Sequence, residues 1–110
     1  MDIQLFELKN TLKTLTKNLI SRIDSICISL ENGEEIDRLL FWLEDLSMFT
    51  ETTIILSQNN MIDFDMDLFN EKVESLLDKV EEKDYLFVSD LLKYELKPLF
   101  SYWDGCMTND

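Results

Sequence analysis

Apolar side chains at Leu5, Leu8, Leu12, Leu15, Leu19, Ile23, Ile26 and Leu30 recur at spacings of three and four. That rhythm keeps them on one seam of an α-helix and predicts a first helix over residues 2–31. At ~1.5 Å per residue the seam is about 40 Å long, and other helices must cover it. Asn32-Gly33 ends it, because glycine takes the left-handed C-terminal position at no steric cost. A second helix is expected over 34–57, with Glu34, Glu35 and Asp37 in its first turn, where the helix dipole favours anions. Its inward face is Ile36, Leu39, Leu40, Leu43 and Leu46, widened by Trp42, Phe49 and Leu56. A further row, Phe41, Met48 and Ile55, lies at i, i+7, i+14 on a different side.

Residues 58–66 form the longest connection. A third helix follows over 67–83, with Phe69, Val73, Leu76, Leu77 and Val80 inward and Asp65 or Asp67 as N-cap. A fourth runs over 84–103, with Tyr85, Val88, Leu92, Leu96, Leu99 and Trp103 on one face. Pro98 falls inside that pattern; it lacks an amide hydrogen and clashes with the Tyr94 carbonyl, so a kink or break is expected there. Gly105 is expected to end the helix, leaving 106–110 as a frayed tail. The expectation is all-α: one domain over 1–105, an antiparallel up-down-up-down four-helix bundle.

Composition agrees. Two glycines and one proline in 110 residues are too few for the turns of an all-β chain. The net charge of −13 is uneven: residues 1–31 sum to zero, so all of it lies in 32–110. Such a chain repels phosphate backbones and anionic membrane surfaces, so neither nucleic acid nor membrane is expected as partner. No run approaches the ~18 apolar residues of a membrane span. The N-terminus lacks the pattern of a signal peptide. A cytoplasmic location is expected, with Cys27 and Cys106 as free thiols at opposite ends of the bundle.

Histidine is absent, which removes Ser-His and Cys-His pairs and the Glu-x-x-His of di-iron bundles. Two cysteines alone cannot fill a zinc site, and two glycines cannot build a phosphate-cradling loop. The expectation is therefore no enzyme and no cofactor. Asp63, Asp65 and Asp67, with Glu71 and Glu74 at the ninth and twelfth positions, have carboxylate spacing that resembles a calcium loop. Leu68 stands where that loop needs glycine, so the competing reading is an acidic loop capping helix 3. Glu34-x-x-Asp37 and Glu81-x-x-Asp84 resemble the magnesium-holding carboxylate pairs of all-α nucleotide pyrophosphatases; capping is the competing reading. Glu95 falls within the apolar arc of helix 4, as a buried carboxylate or an edge residue whose head reaches water. Lys9, Lys13 and Lys17 form a strip on helix 1, a solvated face or a dock for an acidic surface.

Helix 2 is the anomaly, because it is apolar nearly all round and a four-helix protein has no central helix to be. Phe41, Trp42, Met48, Phe49 and Ile55 are the candidate protein-binding residues, with helix-in-groove capture of a partner, or a homodimer seam, as the expected use. In size, acidity and all-helical character, with its helix 1–Asn32-Gly33–helix 2 hairpin, the chain resembles small bacterial secretion or flagellar-export chaperones in general shape. That resemblance implies a chaperone- or adaptor-like protein-binding module. The alternatives are a structural homodimer, an acidic nucleic-acid mimic, and a calcium-binding or pyrophosphatase-like protein.

Overall fold

A computed structural model of the chain describes residues 3–108. Four helical rods lie along a body measuring 48 × 23 × 20 Å. They are α1 (Ile3–Glu31), α2 (Asp37–Gln58), α3 (Met66–Glu81) and a fourth rod made of α4 (Tyr85–Leu91), a π-helical turn (Leu92–Leu96) and α5 (Lys97–Thr108). No strand occurs among the described residues. Cross-rod pairs fix the directions. Arg22 of α1 meets Asp45 of α2. Lys17, Asp24 and Glu31 of α1 meet Asp104, Lys97 and Lys93 in that order. On α3, Phe69 meets Phe100 and Lys72 meets Glu95. Rising numbers on α1 and on α3 meet falling numbers on the fourth rod, and the short 32–36 link folds α2 back along α1, which gives the expected antiparallel up-down-up-down bundle.

The core is aromatic at its middle. Phe49 lies 5.1 Å from Phe100, 5.5 Å from Phe69 and 6.0 Å from Trp103 between ring centroids, and Phe64 stacks on Trp103 at 4.3 Å. Such pairs add to simple area burial because ring edges and faces carry opposite partial charge. Trp42 is fully buried, and its indole N–H donates to the Leu19 carbonyl at 2.9 Å. Leu12, Leu19, Ile23, Ile26 and Leu30 of the α1 seam are buried around these rings.

Three rods end in one way. At each end an amide bonds five residues back and its predecessor three back: Glu34 to Ser29 with Gly33 to Leu30, Met61 to Leu56 with Asn60 to Ser57, and Asp84 to Lys79 with Lys83 to Val80. The capping residues Gly33, Asn60 and Lys83 take φ of 69°, 58° and 60°. This satisfies carbonyls that a helix end otherwise leaves open. It also uses the Glu34 amide, so α2 begins at Asp37 rather than at residue 34, and Glu34 and Glu35 sit in the link. Lysine is costly in the left-handed region. Lys83→Gly is therefore expected to raise stability by about 0.5–1 kcal/mol after allowing for glycine's unfolded-state entropy, read as a higher urea midpoint.

The fourth rod departs from the expectation at its end. It does not stop at Gly105; α5 runs to Thr108 and buries Met107. The frayed segment 106–110 is thus corrected as far as residue 108, and 109–110 lie outside the described residues. The bend expected near Pro98 is the π turn just before it, where the Lys97 amide bonds to the Leu92 carbonyl five residues back. Val88, Leu92, Leu96 and Phe100 are each four apart and all buried. In an unbroken α-helix that run would drift by about 120°. The wide turn rewinds the drift and relieves the clash of the Pro98 ring with the preceding turn.

Ion pairs line the α1 edge of this rod. Glu31 accepts from Lys93 Nζ at 3.0 Å and from the Ser89 hydroxyl at 3.1 Å, which holds its carboxyl below the ordinary range. Because the folded-state value is lowered, its stabilisation is present above the unfolded pKa and is lost as pH falls through the folded one. The stability gap between wild type and Glu31→Gln is thus expected to be flat near neutral pH and to close in acid, in urea titrations repeated across that range.

Candidate functional site

Helix α2 divides the five candidate binding residues between two environments. Trp42 and Phe49 are fully buried, whereas Phe41, Met48 and Ile55 are 63%, 54% and 43% exposed. The first two are therefore core residues and not contacts for a partner. They share the angular sector of Leu39, Leu46 and Leu56, which pack against α1 and the aromatic cluster. The other three lie on the α1 flank of α2. Their surroundings are mixed: Met48 borders a shallow hollow of about 560 Å³ with Thr11, Thr14, Asn18 and Asp45. The Arg22–Asp45 ion pair crosses the seam, and Phe41 lies beyond it with Ser25 and Arg38.

The opposite flank of α2 is different. Among the described residues, no Cα of α2 comes within 8 Å of one in α3, although α1 approaches both α2 and the fourth rod that closely. The two rods meet only through side chains reaching inward, such as Phe49 and Phe69. Above that contact runs a groove of about 280 Å³ with Leu43, Leu46, Ser47 and Thr50 on one wall and Val73 and Leu77 on the other. Leu77 is 47% exposed, and Leu40 and Ile54 carry the same flank of α2 outward at 44% and 43%.

Sequence reasoning placed Leu40, Leu43 and Leu77 inward and so missed this groove. A signal was present. Leu39-Leu40, Ile54-Ile55 and Leu76-Leu77 are adjacent apolar pairs, and neighbours on a helix stand about 100° apart. No pair has both members facing the core centre: Leu39 and Leu76 are buried while Leu40 and Leu77 are exposed, and Ile54 and Ile55 are both exposed on either side of buried Leu56 around the helix. The 59–65 link, the longest between the rods, gives α3 the freedom to stand off from α2.

Other candidates resolve as local structure. Asp65 caps α3, accepting from the Leu68 amide at 3.0 Å, and Asp84 caps α4, accepting from the Phe87 amide at 3.3 Å. Asp63 and Asp67 are exposed, and Glu74 is carried on a regular turn of α3 rather than by a loop that could wrap a cation. Among the described residues no three His, Cys, Asp or Glu side chains gather into a group that could hold a metal, Asp63, Asp65, Asp67 and Glu74 included. Glu95 is exposed and paired with Lys72 at 3.1 Å; the π turn swings it off the apolar arc, so it is not a buried carboxylate. Cys27 is a buried free thiol, pushed upward in pKa by burial, and Cys106 is an exposed one. No helix among the described residues is long and apolar enough to cross a membrane.

The model of one protein family, described as a domain of unknown function (DUF8042), matches residues 7–105. No curated protein and no solved structure matches the chain.

Proposed function

The chain belongs to the DUF8042 family, and from the surface it presents we propose that it is a small adaptor- or chaperone-like protein-binding module that seats a partner's amphipathic helix between α2 and α3. The observation that carries this reading is the open seam. Two rods of one bundle stand apart at the backbone, and the gap between them is walled by Leu43, Leu46, Val73 and Leu77. A helix brings apolar side chains at i, i+3, i+4 and i+7, the spacing such a groove accepts, and burying them supplies the affinity. The surrounding rods need not rearrange, because the aromatic core already holds α2 and α3 at their separation.

The test is fluorescence anisotropy with labelled helical peptides carrying a leucine stripe at that spacing. Leu40→Glu/Leu77→Glu replaces two exposed residues, so the variant is expected to keep its helical circular dichroism and lose binding by tenfold or more, as charge enters an apolar contact. Phe41→Glu/Met48→Glu, on the other flank, is expected to leave binding unchanged. Loss in the second variant and not the first would move the seat to the α1 flank. Absence of binding to the folded wild type would end the reading.

A further inference from the structure

We infer that the helix seated between α2 and α3 is a basic one, with Lys or Arg on both borders of its apolar stripe. This rests on the reading above and adds the partner's chemistry. The argument is the distribution of charge around the groove. Glu44 and Glu51 stand one heptad apart on the outer side of α2, and Glu51 itself borders the groove. Glu74 and Glu81 stand one heptad apart on α3, on the side that Leu77 shares. All four are exposed, and none is in an ion pair among the described residues.

Five of the ten basic residues close seams elsewhere in the bundle. Lys17, Lys93 and Lys97 close the α1 edge of the fourth rod, Arg22 closes α1 on α2, and Lys72 closes α3 on the fourth rod. No Lys or Arg lines the groove. The apolar floor is thus bordered by two acidic rails with no internal counter-charge. A second copy of the chain laid groove to groove would set two such rails against two, within the ~8 Å over which charges interact at physiological salt. Self-association there is disfavoured, whereas a basic amphipathic helix satisfies floor and rails together. Heptad spacing on each rail predicts basic residues seven apart on each border of the stripe, about 10.5 Å along the groove.

The experiment compares three peptides on the full chain. One has the leucine stripe with Lys borders, one the same stripe with Gln borders, and one the Lys composition with the stripe scrambled. The Lys-bordered peptide is expected to bind about tenfold more tightly than the Gln-bordered one, with the advantage shrinking between about 50 and about 500 mM salt. Glu44→Gln/Glu51→Gln/Glu74→Gln/Glu81→Gln is expected to bring it down to the Gln-bordered level. Equal binding of the two striped peptides, or a Lys preference that survives the quadruple variant, would overturn the inference and leave the helix seat standing. A scrambled peptide binding as tightly as the striped one would overturn it too, since net charge alone would then explain the attraction. No binding by any peptide to folded protein would overturn both. Light scattering is run alongside: a dimer that Leu40→Glu/Leu77→Glu dissolves would make a second copy the occupant and the inference wrong.

Discussion

Replacing Phe49 with alanine is expected to lower the free energy of unfolding by about 3–5 kcal/mol, the range for large aromatic-to-alanine changes in cores. The ring is fully buried, and it touches Phe69, Phe100 and Trp103, one ring from α3 and two from the fourth rod. Deleting it removes the side chain that spans the distance between α2 and the rods opposite. Because α2 and α3 have no close backbone approach, little else can move in to fill the void. A loss of this size is a large share of the ~5–15 kcal/mol that holds a typical domain together. Phe41→Ala, eight residues earlier on the same helix, removes a ring that is 63% exposed. Its cost is expected to stay within about 0.5 kcal/mol. Paired urea titrations read both. Similar midpoints for the two variants would mean that the burial pattern of α2 is wrong.

Met107→Ala carries the second largest expected effect, about 2–4 kcal/mol, from the removal of a buried flexible side chain in the last turn of α5. Met107 is 1% exposed although it stands three residues from the last residue of the sequence. The neighbouring exposed Cys106→Ala serves as control and is expected to change stability by no more than about 0.5 kcal/mol. Thermal melts of the pair decide the matter: if both are silent, the last turn of α5 contributes nothing to the fold. Deleting the segment after Gly105 is expected to cost as much as Met107→Ala, since the apolar anchor is what the segment contributes.

These two residues show what was legible in the chain and what was not. The rod count, their antiparallel order and the α1 seam follow from side-chain period alone, because burial of one helical face is a local rule. Period sets Phe49 on the widened inward face and Phe41 on a different side, yet it leaves both as candidate contacts for a partner. Which of them faces a partner rod depends on where α3 and the fourth rod stand, and no local rule supplies that. Gly105 carries a stop signal that the structure overrides, since burying Met107 outweighs the roughly 1 kcal/mol that an internal helical glycine costs. Leu40 and Leu77 were assigned inward because the stripe was wide, and only the separation of α2 from α3 turns them into the walls of a groove. The acidic rails were visible as residues from the start, but not as rails until those walls were in place.

The π turn has a consequence for how the fourth rod tolerates changes of length. Its buried positions Val88, Leu92, Leu96, Phe100, Trp103 and Met107 read as a heptad series carrying one residue too many. Removing any one of Lys93, Tyr94 or Glu95 would turn the spacings into an alternation of four and three, which an α-helix carries with a drift of only about 20° per heptad. The same removal would leave Pro98 inside an unbroken helix, where its ring strikes the turn before it. The surplus residue thus shelters the proline. A shorter fourth rod is accessible cheaply only together with replacement of Pro98.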